Sequence, residues 1–417
     1  MAFKETSNTF SNIAVTSRLE KVNSFLKELD SIIDFEKLRP TLNKNGIAKS
    51  NVAGAPAYDN VIMFRILLLQ KYYNLSDQAT QDALYVNLLF IRFVGLSLED
   101  DVPDESTIGR FRNSLLKAKL YDKLFNSINK QLENKNLIAK TGKSILVDAT
   151  LIKSDNTQIK NKSKETYKED KESIKTINEE LDKKLDEELE SKSPSKKKIK
   201  KILNAKEHNS KTYKNSQLDE LQNIDTKDIT TSQAIIENEE DSYDHKYRID
   251  SEIRIGYHAS KKQYTQGYKA HIAVDEASGV MIDKQMTFAN TSDIDTVEAF
   301  VENSKGIEAL YADKAYKSKE VDELLKTKNI ENMICLKEKQ TLSKEEIKQQ
   351  RKDERPKHKI RAKVEHRFAE IKVQMKQATT RYVGLVRNNM NFTLVCIAAN
   401  LKLLAHKKMR GTLKLIQ

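Results

Sequence analysis

The sequence is poor in cysteine and has no long apolar run. Its 417 residues include two cysteines, Cys335 and Cys396, which form neither a CxxC pair nor a disulfide framework. Both lie beside apolar residues, so we expect buried, reduced thiols in a cytosolic protein and no zinc site. The most apolar late segment, residues 392–404, is interrupted by Asn400 and Lys402 and falls short of the roughly 20 residues that a bilayer crossing needs. The sequence therefore predicts no membrane partner.

Acidic residues are outnumbered by basic ones. The net charge is +12, which favours a polyanionic partner. Because the N-terminus shows no secretory signal or amphipathic membrane segment, nucleic acid is the expected partner. An AT-rich genome would also enrich lysine, so charge supports DNA binding without establishing it.

Length and pattern divide the chain into four parts, since 417 residues exceed a typical single domain. We expect an N-terminal helical extension at 1–57, a helical DNA-binding domain at 58–137, a catalytic domain built from 138–155 and 245–410, and a lysine- and glutamate-rich helical insertion at 156–244. The insertion contains few apolar residues, so a disordered linker remains the alternative there.

Two aspartates each follow a short apolar segment. Asp148 ends the run SILVD and Asp313 follows ALYA, and both runs are typical of buried strands. Between residues 268 and 288, an alternating pattern interrupted by the turn EASG predicts an antiparallel hairpin. A further short strand is expected at residues 333–336, followed by a basic loop over residues 337–359. Two acids at strand ends can contribute to one carboxylate cluster.

A third acid, Glu365, lies on a predicted helix. Arg361 precedes it by four residues and Lys372 follows it by seven, so at 3.6 residues per turn all three project from one face. The adjacent apolar stripe, which would seat the helix on a core, consists of Val364, Phe368, Ile371 and Met375. An ordinary solvated ion pair between Arg361 and Glu365 is the alternative interpretation.

The N-terminal helical region contains a candidate recognition helix, which Ser106 can cap. Its inner face consists of Ile108, Phe111 and Leu115, and its outer face of Thr107, Arg110, Ser114 and Lys117. Arg110 could then reach base edges or phosphates. A solvated helix face fits the pattern equally well.

In this order the motifs resemble the DDE transposases of bacterial insertion sequences, in particular the insertion-sequence-five group with its YREK signature. Arg361, Glu365 and Lys372 match that signature in identity and spacing, whereas His358 stands at the tyrosine position. The family's DKGY motif at the second acid reads DKAY here, starting at Asp313. Weaker matches are VDAT at 147–150, GYKAHI at 267–272, AN at 289–290 with Asp293, and GLVR at 384–387.

The resemblance implies an α/β fold: an RNase H-like mixed sheet flanked by helices, with an N-terminal all-helical domain and a helical insertion after the first catalytic strand. It implies a transposase that binds terminal inverted repeats and catalyses metal-dependent DNA cleavage and strand transfer. Asp148, Asp313 and Glu365 would be the catalytic ligands of two Mg²⁺ ions, which Mn²⁺ could replace.

The resemblance also suggests partners and supporting residues. The expected DNA contacts are Arg361, Lys372, Arg110, Arg112 and Lys269. Asp250 and His358 would support the metal ligands through contacts with them, although a simple loop aspartate is the alternative interpretation of Asp250. The expected partners are double-stranded DNA, as transposon ends and target, and a second copy of the chain in a DNA-bound homodimer. The expected location is the cytoplasm, in association with the nucleoid.

Two other functions remain open from the sequence. One is a nuclease of the same fold that cuts DNA without strand transfer. The other is a decayed transposase that acts only as a DNA-binding protein. The three intact acids argue against decay, while His358 and Ala315 depart from the family pattern and keep it possible.

Overall fold

A computed structural model describes most of the chain outside the predicted insertion. The described residues are 17–46, 57–139, 143–154, 250, 252–258, 263–304, 306–336 and 344–416. The chain divides into two compact units, one formed by residues 1–154 with 252–417 and the other by residues 155–251. The predicted helical insertion at 156–244 lies outside the described residues, so the following account concerns the first unit.

Helices form the regular structure of the described residues before β1. They are α1 Leu29–Ile32, α2 Arg39–Leu42, α3 Asn60–Tyr73, α4 Asp77–Val86, α5 Leu88–Val94, α6 Glu105–Lys117 and α7 Tyr121–Asn134, with short 3-10 turns near the first two. Ile108, Phe111 and Leu115 are buried on α6, as predicted. This helix begins earlier than predicted, because Asp104 rather than Ser106 accepts the backbone N–H of Thr107. The helical character predicted for this region agrees with the structure.

Six strands form one mixed sheet. They are β1 Lys143–Lys153, β2 Arg254–His258, β3 Gln263–Asp275, β4 Met281–Phe288, β5 Ile307–Ala312 and β6 Glu331–Asn332. Strand β3 pairs antiparallel with β1, β2 and β4, while β5 pairs parallel with both β1 and β6. The predicted hairpin corresponds to β3 and β4. Strand β2 was not predicted, and β6 lies just before the strand expected at residues 333–336.

Helices cover both faces of the sheet. Ile145 and Val147 of β1 point to a core formed with α8 Val297–Asn303 and α9 Lys319–Thr327. Leu146 and Ile152 point the other way, to a core shared by the N-terminal helices, α10 Lys344–Ala369 and α11 Leu385–Met409. Because side chains alternate along a strand, Asp148 points to the face that α10 covers.

Helix α10 corrects the expectation of a basic loop over residues 337–359. Residues 344–359 are helical, and residues 337–343 lie outside the described part. Glu345 and Glu346 occupy the first turn, where negative charge interacts favourably with the helix dipole. Pro356 lies inside the helix without ending it. The charged composition and the proline concealed the first part of the helix that carries the third acid.

Helix α11 is joined to the sheet by Asn400. Its side chain accepts a hydrogen bond from the Met281 N–H at 2.9 Å and donates one to the Met281 carbonyl at 2.7 Å. This buried amide therefore satisfies both backbone groups of one residue at the start of β4. None of the described helices, α11 included, is long and apolar enough to cross a membrane.

Asn400→Ala should lower the free energy of unfolding by about 2 to 3 kcal/mol, because it leaves two buried backbone groups of Met281 unpaired. Asn389→Ala is the matched control on the same helix, since Asn389 accepts only one backbone bond from β4, from Met286 at 3.2 Å. Urea unfolding of both variants tests the difference. Equal losses would show that Asn400 does not hold the helix to the sheet.

Candidate active site

The parallel pairing of β1 and β5 brings two predicted acids together. Val147 is the register partner of Ala312, so the next residues of the two strands, Asp148 and Asp313, are neighbours at adjacent strand positions. Asp313 then caps a 3-10 turn, its carboxylate accepting the N–H of Lys314 at 2.6 Å. Asp148 accepts the N–H of Ala149 at 2.9 Å. Both carboxylates are thus oriented by the backbone.

Helix α10 brings Glu365 and Arg361 to the same place. The predicted stripe is confirmed, because Val364, Phe368, Ile371 and Met375 are all buried. Arg361 lies between two of the acids, with its guanidinium 3.2 Å from Asp313 Oδ1 and 2.7 Å from Glu365 Oε1. Its Nε is buried and has no hydrogen-bond partner. The pair of Arg361 and Glu365 is therefore part of a larger charge cluster rather than an isolated surface ion pair.

The electrostatics of Asp148 reflect this crowding. Burial raises the pKa of the Asp148 carboxyl to about 7, and the negative charges of Asp313 and Glu365 contribute to the rise. The Ala149 N–H and the positive charge of Arg361 oppose it. Asp148 is therefore held at a position where its negative charge is costly without a nearby cation.

The donor set suits a hard divalent ion. Magnesium prefers carboxylate oxygens and keeps several waters, and these three acids come from three separate elements of the fold. A divalent cation would also offset the burial and the repulsion that together raise the pKa of Asp148. In the described part of the chain, the ligand atoms of Asp148, Asp313 and Glu365 do not all lie within 4.8 Å of one another, whereas those of another set of three side chains do. Arg361 lies among the acids instead.

Lys372 of the YREK-like pattern is tied to β1. It lies in a π-helical turn, Glu370–Gln374, that continues from α10. Its ammonium donates to Thr150 Oγ1 at 2.6 Å and to the Leu151 carbonyl at 2.8 Å. Thr150 is two residues after Asp148, so Lys372 fixes the end of the helix beside the acid cluster. Its contact with DNA stays a prediction.

Two of the predicted DNA contacts have partners inside the fold. Arg112 is buried on α6 and forms an ion pair with Asp77 of α4. Lys269 donates to the Thr291 carbonyl at 2.6 Å and lies 3.0 Å from Asp293. Both cations are thus paired inside the fold, and their contacts with DNA stay predictions.

Arg110 lies where the sequence predicted it, on the exposed face of α6. Its guanidinium bonds only to hydroxyls and a carbonyl of the preceding turn, including Ser106 Oγ at 3.1 Å and Thr107 Oγ1 at 3.0 Å. Among the described residues no carboxylate lies within salt-bridge distance of it, although the charge of Asp104 acts on it from the start of α6. Arg110 thus keeps a positive charge available to a phosphate.

One residue near the acids had no predicted role. Tyr316, the tyrosine of the DKAY match, is buried, and its hydroxyl has no hydrogen-bond partner. Burial raises the pKa of this phenol far above its usual range, and the charges of Asp293 and Asp148 raise it further. The phenol therefore stays protonated beneath the acids. Its place in the DKAY match was the only sequence signal for it.

His271 and the two expected supporting residues differ in their surroundings. His271 is buried between Thr287 at 2.8 Å and Thr296 at 3.4 Å, and burial lowers its pKa to about 3, which agrees with a neutral scaffold histidine. Asp250 is buried. His358 is exposed, with Nδ1 4.0 Å from Cys335 Sγ.

Comparison with protein families decides the wider identity. Residues 15–114 match the model of a transposase domain (DUF772), and residues 216–401 match that of the transposase DDE domain. The chain belongs to the DDE transposases of insertion sequences. It is therefore an enzyme of metal-dependent DNA cleavage and strand transfer. No solved structure matches the chain.

The DDE transposase domain implies an RNase H-like fold, with which the mixed sheet agrees. The DDE match contains Asp313 and Glu365, whereas Asp148 lies before its first residue. The candidate first acid of this transposase is therefore supported by the β1–β5 register rather than by the family match.

Asp148→Asn should stabilise the protein in EDTA, increasingly so at higher pH. The folded-state pKa of Asp148 is about 7, above its ordinary value of 3.8. The contribution of Asp148 to the free energy of unfolding therefore falls as pH rises between these values and levels off above 7. Each pKa unit corresponds to about 1.4 kcal/mol before structural relaxation.

Urea unfolding at pH 5 and pH 8 measures this difference, with the exposed Asp295→Asn as control. If Asp148→Asn raises the free energy of unfolding no more at pH 8 than at pH 5, the pKa of Asp148 is not raised in the folded protein.

Proposed function

We propose that this transposase cuts and joins the terminal inverted repeats of its element with Asp148, Asp313 and Glu365 as ligands of two Mg²⁺ ions, which Mn²⁺ can replace. The observation that carries the proposal is the register of β1 and β5 beneath α10, which gathers three acids from distant parts of the sequence around Arg361. Such convergence has no evident structural benefit, because like charges crowded together raise the cost of folding.

The roles of the chain's own groups follow from their positions. When bound, the ions supply activation of a water or 3′-hydroxyl and neutralisation of the leaving oxygen. Asp148 lies on β1 beside the end of β5, which Asp313 follows, so both carboxylates would be ligands of the ions. Glu365, whose side chain is 57% exposed, is free to rotate toward them from α10.

Arg361 acts as the resident counter-ion of the acids in the metal-free protein. Its guanidinium pairs with Asp313 and Glu365, so it must release at least one of them when a divalent cation takes over that charge. A released guanidinium matches the geometry of a DNA phosphate, which it can bind with two parallel hydrogen bonds. Arg361 would thereby couple metal occupancy to contact with the transposon end.

The proposal also includes the transposase group, the oligomeric state on DNA and the location in the cell. The spacing of Arg361, Glu365 and Lys372 supports membership of the insertion-sequence-five group with a YREK-type signature. One set of acids acts on one strand at a time, whereas an element has two ends, which supports a homodimer on DNA. The DNA substrate supports a cytoplasmic location at the nucleoid.

Asp148→Asn, Asp313→Asn and Glu365→Gln should each reduce metal-dependent cleavage of an inverted-repeat duplex by about 1,000-fold or more, because several kcal/mol of charge stabilisation are lost. DNA affinity should stay within about threefold of wild type, since each change removes negative charge. Asp295→Asn is the matched control, with an exposed acid outside the cluster. Cleavage at the wild-type rate in any one of the three would remove that residue from the site.

Arg110→Ala should weaken binding to the inverted repeat and lower the slope of affinity against salt by about one phosphate contact. Arg92→Ala is the control, since Arg92 is an exposed arginine on α5 of the same helical region. Fluorescence anisotropy over a salt series with inverted-repeat and random duplexes makes the measurement. Equal effects of both variants would leave α6 as a solvated helix face.

A further inference from the structure

A second cluster of metal-binding side chains lies beside the acid cluster. Cys335 follows β6, while Glu354 and His358 lie one turn apart on α10. One possible ligand atom of each residue lies within 4.8 Å of the other two, and the distance from Cys335 Sγ to His358 Nδ1 is 4.0 Å. This cluster could not be predicted from spacing, because Cys335 is 19 residues from the nearest other member, Glu354.

The ligand types select a class of ion. Sulfur, imidazole nitrogen and a carboxylate oxygen together are the donors that Zn²⁺ prefers, whereas Mg²⁺ prefers oxygen alone. On a tetrahedral zinc ion, bond lengths near 2.3 Å for sulfur and 2.0 Å for nitrogen put these two atoms about 3.5 Å apart. The observed 4.0 Å requires only a small contraction.

We propose that Cys335, Glu354 and His358 form a second metal site, which binds a borderline-soft divalent ion of the Zn²⁺ class with water in the fourth position. It is separate from the three acids that handle the DNA. Binding replaces the proton of the Cys335 thiol, which is released to solvent as the sulfur–metal bond forms.

The surroundings hold two of the ligands in place. Cys335 and Glu354 are buried, with 3% and 7% of their surfaces exposed, whereas His358 is exposed and can turn toward them. Glu354 accepts the Leu336 N–H at 3.3 Å on one oxygen and the Lys357 ammonium at 2.9 Å on the other. Each carboxylate oxygen has two lone pairs, so these bonds orient Glu354 and leave an acceptor position for the ion.

The proposed metal site would connect the segment after β6 with α10, the helix that carries Glu365. His358 is one turn before Arg361, and the Cys335 thiol lies within hydrogen-bonding contact of Arg361. An ion here would fasten this turn of α10 to the segment after β6. We therefore expect it to stabilise the fold and to fix the helix that presents Arg361 and Glu365.

Co²⁺ added to the full chain tests the proposal, because a Co²⁺–thiolate bond gives a charge-transfer absorption that oxygen ligands do not give. The band should appear in the wild type, survive a large excess of Mg²⁺ and be lost in Cys335→Ser. Cys396→Ser is the matched control, since Cys396 is the other buried free thiol and lies on α11. It should retain the band. No band in the wild type, or an equal band in Cys335→Ser, overturns the proposal.

A second measurement covers the case in which Cys335→Ser fails to fold. Zn²⁺ should raise the melting temperature of the wild type and of Glu365→Gln, but not that of His358→Ala, which changes an exposed residue. Equal stabilisation of His358→Ala would contradict the site. Loss of the effect in Glu365→Gln would assign the ion to the acid cluster instead.

Discussion

The parallel register of β1 against β5 is the constraint on which the rest of the site depends. It aligns Val147 with Ala312, so the first polar residues after two apolar runs, Asp148 and Asp313, become neighbours although 164 positions separate them in the chain. Both strands are anchored by apolar side chains on either face of the sheet. A shift by one residue would turn Asp148 to the opposite face, away from α10. Packing of the core thus fixes where the carboxylates lie.

Charge balance is the second constraint. The fold holds three acids around one arginine, and burial already raises the pKa of Asp148 to about 7. Arg361 compensates part of this negative charge through Asp313 and Glu365. The helix that carries it is fixed by the buried stripe on one side and by Lys372, which bonds to β1, at its end. In the metal-free protein, Arg361 therefore neutralises only part of the negative charge of the three acids.

Much of this could be predicted from local pattern. Apolar runs ending at Asp148 and Asp313 predicted the two strands, and the spacing from Arg361 to Lys372 predicted one helical face. Partners distant in sequence could not be predicted, and one example is Arg112, whose counter-ion Asp77 lies 35 residues away on α4. The helical start of α10 was missed because Pro356 and dense charge are typical of loops. The cysteine cluster likewise depends on a tertiary contact.

The central claim is that these three acids hold the divalent ions of this transposase and that Arg361 yields to them. Diffraction from crystals of the full chain with an inverted-repeat duplex and Mn²⁺ tests it most directly through anomalous scattering. The account predicts Mn²⁺ density between Asp148 and Asp313, with Glu365 turned toward it and Arg361 moved from the acids to a DNA phosphate. Mn²⁺ located away from Asp148, or density among the acids with Arg361 still paired to both Asp313 and Glu365, would contradict it.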